Sequence, residues 1–279
     1  MTTVKEAIEA MIRERNVETG RVSGLSRQII AQMNTLQTGI LVNFENLPGI
    51  NSSGAAHLNL YLQTGAKEAL RAALRSGIAQ QPSLKMTINS AFRTVAQQHI
   101  LYRVYQRDPK LIPLAAKPGN SNHEDGLAID VNNYNVWKPY LLANGWQWLG
   151  GNDPVHFFNT NGRDDVSTLG VKAFQSLWNR YNPTERVTVD GNFGDQTAAK
   201  MDRCPIGGFA VVNVFRLGDN GAVVTRIQQH LSNVGFPVAV NGLFDRQTKD
   251  AVIKFQLKQG LAADGDVGPM TLKLLGIKL

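Results

Sequence analysis

The chain has 279 residues, 43% hydrophobic and 18% charged, an ordinary balance for a globular protein with room for about two domains. Lys and Arg outnumber Asp and Glu by 29 to 22, a net charge of +7, which favours anionic partners such as nucleic acid, a membrane surface or an acidic wall polymer; no basic run interleaves with aromatics, so nucleic acid is disfavoured. A single cysteine, Cys204, excludes an intrachain disulfide and a thiolate metal cluster, and no stretch approaches the roughly 20 apolar residues of a membrane span.

The opening MTTVKEAIEAMIRER is charged throughout and lacks the apolar core of a signal peptide. It reads as a helix, with Thr3 and Glu6 in a capping-box pattern and Val4, Ile8, Met11 and Ile12 on one face. A target outside the membrane would then be reached after cell lysis or by non-classical export. Gly20 and Gly24 mark a turn before a second helix on Leu25, Ile29, Ile30 and Met33. A third follows Gly65, with Ala66, Leu70, Ala73 and Leu74 inward. Leu84, Met86 and Ile88 alternate with polar residues, as on a half-buried strand. The next helix runs from about Thr94 to Asp108-Pro109, where proline ends it. A loop rich in Pro and Gly, 109–122, delivers the chain to His123. Leu127, Ile129 and Val131 then alternate with Ala128 and Asp130, so the apolar trio faces a core while Asp130 faces a cleft. Small residues at Gly126 and Ala128 are expected to leave room there. Residues 153–158 supply a neighbouring strand with His156. Residues 1–160 thus read as one α+β unit, a small antiparallel sheet with helices packed on it.

Beyond it the texture changes and repeats. Asp190-Gly191-Asn192-Phe193-Gly194 with Thr197 returns as Asn241-Gly242-Leu243-Phe244-Asp245 with Thr248, and as Asp264-Gly265-Asp266-Val267-Gly268 with Thr271. Each copy follows an apolar-Gln pair: Phe174-Gln175, Ile227-Gln228, Phe255-Gln256. The glycines suit tight turns with φ > 0, and each Thr suits the N-cap of the next helix. The spacing predicts all-α bundles of short helices, a divergent repeat over 165–210 and a fuller domain over 212–279.

Chemistry concentrates around Ser121-Asn122-His123-Glu124-Asp125-Gly126-Leu127-Ala128-Ile129-Asp130 and Asp153-Pro154-Val155-His156. His123, Asp130 and His156 offer two nitrogens and one oxygen, the donor set of a hydrolytic Zn2+ site with one position left for water. Asp153 is the candidate base that takes the water proton and passes it to a leaving amine. His123-Glu124 looks like the start of H-E-x-x-H, but position 127 is Leu and the context is strand-like, so that class is excluded; Glu124 stays a secondary candidate base. His57, His99 and His230 read as surface or packing residues, and Cys204 as a small buried apolar one. Trp137, Trp146 and Trp148 either pack the domain or wall the cleft.

The run SNHEDGLAIDV resembles the S-x-H-x-x-G-x-A-x-D signature of the zinc peptidases that cleave peptidoglycan stem peptides, the D-alanyl-D-alanine carboxypeptidases and L-alanyl-D-glutamate endopeptidases. Ser90-Ala91-Phe92-Arg93-Thr94 resembles their S-x-[YF]-R-[ST] segment. The resemblance spans about 55–158. It implies that Arg93 binds a substrate carboxylate or the developing oxyanion, for which a guanidinium has the right charge and fork, with Ser121 also on the substrate side. Carboxypeptidases of the family usually carry Glu three residues before the last ligand; Asp153-Pro154-Val155-His156-Phe157 looks more like the endopeptidase ending. From Leu217 to Leu275 the repeats resemble peptidoglycan-binding modules, with Asp245 in place of the usual Gly. Such modules hold wall glycan or stem peptide, and Phe174, Trp178, Phe244 and Phe255 either line a wall-binding groove or pack as helix core. The expectation is a monomeric zinc peptidase tethered to peptidoglycan; its rival is a non-catalytic wall-binding protein with a structural metal.

Overall fold

A computed structural model describes residues 2–51, 58–162, 164–209, 214–261 and 263–277; His57 lies outside them. The N-terminal capping box forms: Thr3 accepts from the Glu6 N–H, and the Glu6 carboxylate accepts from the Thr3 N–H at 2.8 Å. It starts α1 (Val4–Glu14), which buries Val4, Ala7, Ile8 and Met11. Helix α2 (Ser23–Leu36) follows a short 3-10 turn at Thr19–Val22. Then come β1 (Val42–Asn43), β2 (Ile50–Asn51), β3 (Tyr61–Leu62), α3 (Thr64–Gln80) and β4 (Met86–Ser90). A second capping box, Thr94 with Gln97, starts α4 (Val95–Arg107). The chain continues through β5 (Ala128–Val131), α5 (Tyr134–Ala143), β6 (Trp146–Trp148), β7 (His156–Asn159), α6 (Val166–Tyr181) and α7 (Asp195–Arg203). The final helices are α8 (Ala222–Asn233), α9 (Arg246–Lys258) and α10 (Pro269–Leu274).

The α+β class holds, with one refinement. Among the described residues the larger sheet has the order β2-β4-β5-β7-β6 and is antiparallel except at β2–β4. That pair is parallel because α3 lies between the two strands and gives the crossover that parallel pairing requires. No helix of the described residues is long and apolar enough to cross a membrane.

The chain divides into two compact units, Met1–Phe209 and Ala210–Leu279. The first holds two cores. One lies under the sheet, where Ile88, Ile129, Val131 and Phe157 meet Leu70 and Leu74 of α3 and Trp137 and Leu141 of α5. In the other, α1, α2 and α4 pack with Val171, Phe174, Leu177 and Trp178 of α6 and Met201 of α7. The Val4 N–H donates to the Cys204 carbonyl at 2.8 Å, which ties the first residues to the end of α7. Cys204 is fully buried, and burial pushes its thiol up. His99 packs inside this layer with Nε2 2.7 Å from Asp202, and His230 Nδ1 lies 2.8 Å from the Leu275 carbonyl.

The repeated sequence pattern has one structural cause. Gln228 is completely buried, and its amide nitrogen sits 3.0 Å from Asn241 Oδ1, 2.8 Å from the Leu243 carbonyl and 3.0 Å from Thr248 Oγ1. Its oxygen accepts from the N–H groups of Asn241 and Gly242. Gln256 makes the same contacts with Asp264, Asp266, Thr271 and Gly265, and Gln175 with Asp190, Asn192, Thr197 and Gly191. The turn glycines sit at φ +81, +73 and +76, where a Cβ is unfavourable. The threonines are not N-caps, contrary to the sequence expectation. The caps are Gly194, Asp245 and Gly268; each Thr stands three residues later and bonds to the Gln. Asp245, in place of the usual Gly, caps α9 by accepting from the Thr248 N–H at 2.8 Å. Gln228→Leu would strand the Gly242 N–H and Leu243 carbonyl, and is expected to cost on the order of 2–4 kcal/mol. Hydrogen exchange of the α8 and α9 amides in the full chain measures this loss.

Of the two readings of Phe174, Trp178, Phe244 and Phe255, the structure gives helix core and not a groove. They are 0%, 2%, 0% and 1% exposed. Bundles of such short helices have few apolar positions, so their large aromatics are spent as core. Trp178 completes its burial by donating its indole N–H to the Glu185 carbonyl at 2.7 Å.

Candidate metal centre

Strands β5 and β7 place Asp130 directly opposite His156, so the two side chains share one face of the sheet. On the other side of β5, β4 sets Ser90 opposite Asp130. The segment leaving β4 then grips the third residue: His123 Nδ1 lies 2.7 Å from the Ala91 carbonyl, and the Arg93 N–H donates to the His123 carbonyl at 3.1 Å. The two motif segments, 90–94 and 121–131, therefore meet at His123.

That carbonyl fixes the imidazole. Nδ1 carries the proton and donates it to Ala91, which leaves the Nε2 lone pair free to ligate. His123 Nε2, His156 Nδ1 and Asp130 Oδ1 converge at 3.2, 3.0 and 3.4 Å from one another. A tetrahedral ion with arms of about 2.0–2.2 Å sets its ligand atoms roughly 3.3–3.6 Å apart, close to this triangle. Among the described residues no fourth His, Cys, Asp or Glu joins the group. The trio fits Zn2+ by donor type and by spacing, and these residues could hold such an ion.

Electrostatics favour the ligating forms. Burial pushes the Asp130 carboxyl up, but hydrogen bonds and charge from His123 and His156 outweigh it and hold the group below the ordinary carboxylate range. Burial first, then the Arg93 charge, hold His123 below an ordinary histidine. A ligand that sheds its proton readily competes less with a cation.

The flanking residues have defined places. Half-buried Arg93 donates to Gln98 Oε1 at 3.0 Å and Ser90 Oγ at 3.3 Å. Burial lowers its pKa, while the charges of Asp130, Glu124 and Asp153 oppose that shift. Asp153 lies in the turn before β7: its carbonyl accepts from the His156 N–H, and its N–H donates to Gly150. The Ser121 hydroxyl accepts from the His123 N–H at 3.4 Å, a turn-shaping contact. Both Glu124 oxygens accept from the Gly119 N–H at 2.9 Å, and one also accepts from Ser121. Burial pushes this carboxyl up to about 7, against those donors and the Arg93 charge. Glu124 is thus a staple of the loop that carries His123.

Gly126 does not open space beside Asp130; it turns the chain into β5 at φ +65, where a Cβ would come 2.6 Å from Leu41 Cδ2. Ala128 is fully buried opposite Phe158. Trp137 and Trp146 are core, while partly buried Trp148 packs against the same core and donates to the Pro154 carbonyl at 2.9 Å with Lys138 over its ring. The Ala91 carbonyl and the Trp148 contact escape sequence reading. A carbonyl leaves no residue signature; the Gln98 contact lay within reach, one turn beyond Thr94 on α4.

Residues 59–159 match the family model described as D-alanyl-D-alanine carboxypeptidase, and residues 220–275 match a peptidoglycan binding domain. The chain is 37% identical over 119 residues to the N-acetylmuramoyl-L-alanine amidase CwlM of Mycobacterium tuberculosis, an alignment covering 42% of this chain and 29% of that protein. No solved structure matches. The His123, Asp130 and His156 trio thus lies in a segment that matches the D-alanyl-D-alanine carboxypeptidase model, in one chain with a segment that matches a peptidoglycan binding domain.

Proposed function

We propose that the chain is a zinc-dependent peptidoglycan hydrolase that cuts an amide bond of the stem peptide, the L-alanyl-D-glutamate bond in preference to the terminal D-alanyl-D-alanine bond. In this reading residues 1–160 are the peptidase with a helical N-terminal extension, 165–210 a divergent wall-binding repeat and 212–279 the wall-binding domain. The chain acts as a monomer on the cell wall. The observation that carries the reading is the convergence of His123 Nε2, Asp130 Oδ1 and His156 Nδ1 within a segment that matches the carboxypeptidase model.

Zinc held by these three residues would supply Lewis-acid polarisation and a water of lowered pKa. Asp153 takes the proton of the attacking water and delivers it to the leaving amine. Arg93, oriented by Gln98 and Ser90, binds a substrate carboxylate or the charge that develops on the scissile carbonyl oxygen. Ser121 borders the same space. Asp in place of Glu three residues before the last ligand supports the endopeptidase preference. Wall tethering raises the local concentration of substrate and offsets weak binding at the site. The rival, a closed structural metal, calls for four protein ligands; the trio supplies three.

Purified protein incubated with peptidoglycan is expected to release new amine termini, to stop on chelation and to resume on zinc addition. Mass spectrometry of the fragments reads the bond. Release of free D-alanine would move the assignment to the carboxypeptidase branch, and undiminished release after chelation would remove zinc from the mechanism.

A further inference from the structure

Within the first unit a second concavity of about 650 Å³ opens between α4, the 117–120 loop and the glycine turn at 190–195. Its size suits a ligand of a few rings. We propose that this cleft binds the N-acetylated glycan backbone of peptidoglycan and so presents the attached stem peptide to the metal centre; the proposal rests on the hydrolase reading above.

Three observations lead there. First, the charges along the walls cancel: Arg103 and Lys117 stand against Asp190 and Asp195. Arg103 is also held by Asp202 at 3.2 Å. A balanced site gains little from a polyanion and must recognise its ligand by hydrogen bonds. Second, the groups on offer are Tyr102, Gln106, Asn120 and Asn192. Amides and a phenol match hydroxyl and acetamido groups, and the Tyr ring adds a flat face for a sugar. Third, the walls are built in advance. Gln175 clamps Asp190 and the Asn192 carbonyl, and Glu124 holds the Gly119 N–H, so little ordering is left to binding.

Position links the cleft to the reaction. Asn120 on its rim is three residues from His123, a reach of at most about 11 Å. The stem peptide begins on the sugar itself, so a seated glycan brings its first bonds towards the trio, as the L-alanyl-D-glutamate preference needs. The glycine turn of the divergent repeat thereby gains a role: it completes a wall of the substrate site.

The test uses the full chain and a peptide-free probe, the disaccharide N-acetylglucosaminyl-N-acetylmuramic acid, with binding read by chemical-shift perturbation. Wild type is expected to bind it, and Tyr102→Ala and Asn192→Ala to bind at least tenfold more weakly with unchanged far-UV circular dichroism. In hydrolysis, the ratio of kcat/KM for glycan-linked over free stem peptide should fall at least tenfold in both variants, through KM. No disaccharide binding, or binding that both variants retain, overturns the proposal, as does a wild-type ratio near one. A chain that binds the disaccharide at the cleft yet cuts no stem peptide would sink the hydrolase reading and leave the cleft standing; one that cuts free and glycan-linked peptides alike would do the reverse.

Discussion

Asp130→Asn is expected to strip the protein of zinc and to reduce hydrolysis to background while the sheet stays folded. Asp130 is the hinge of the trio, lying 3.0 Å from His156 Nδ1 and 3.4 Å from His123 Nε2. An amide keeps its shape but removes the negative charge that favours a dication between two neutral imidazoles. Losing a partner one shell further out typically costs about 10–100-fold in metal affinity, so losing a ligand should exceed that. A readout independent of activity exists. Zinc at a thousandfold its Kd stabilises wild type by about 4 kcal/mol, and each kcal/mol shifts Tm by about 2–4 °C in a domain of this size. Wild type should therefore gain on the order of 10 °C with zinc and Asp130→Asn almost nothing. A variant that keeps one equivalent of zinc and the wild-type shift would remove Asp130 from the ligand set.

What sequence could foresee here follows from what is local. Caps and periodicity sit within a few residues, so Thr3 with Glu6 and the inward faces of α1, α2 and α3 could be read directly. The Asp130–His156 pairing was foreseeable because strand alternation and the short spacing to His156 leave few registers. The packing of α1 and α2 against α6 and α7 was not. The bond from the Val4 N–H to the Cys204 carbonyl joins residues 200 apart, and no local pattern encodes such a partner. Nor did repetition alone explain itself. The recurring apolar-Gln pair marks a buried clamp around each glycine turn, and that is visible only when the three sets of contacts are laid side by side. The aromatics stayed ambiguous for a related reason: a helical apolar stripe looks the same whether it faces a core or a ligand.

Asp153→Asn is expected to lower kcat by about 10²–10⁴-fold, the usual worth of a general base, while zinc content and the zinc-dependent Tm gain stay at wild-type values. The backbone around Asp153 is tied on both sides. Its N–H bonds Gly150 and its carbonyl accepts from the His156 N–H, and the Trp148 indole holds the Pro154 carbonyl one residue on. None of these contacts uses the carboxylate, so the amide should leave the turn and the placement of His156 as they are. What disappears is the ability to accept a proton. KM should change little, because the proposed mechanism gives the substrate's charge to Arg93 and not to Asp153. Paired with Asp130→Asn, the variant separates two roles that a carboxylate can play in this site: one loses metal and rate together, the other rate alone. Should Asp153→Asn retain full kcat, the base would have to be sought elsewhere, and Glu124, already engaged by the Gly119 and Ser121 N–H groups, would need to leave its staple to serve.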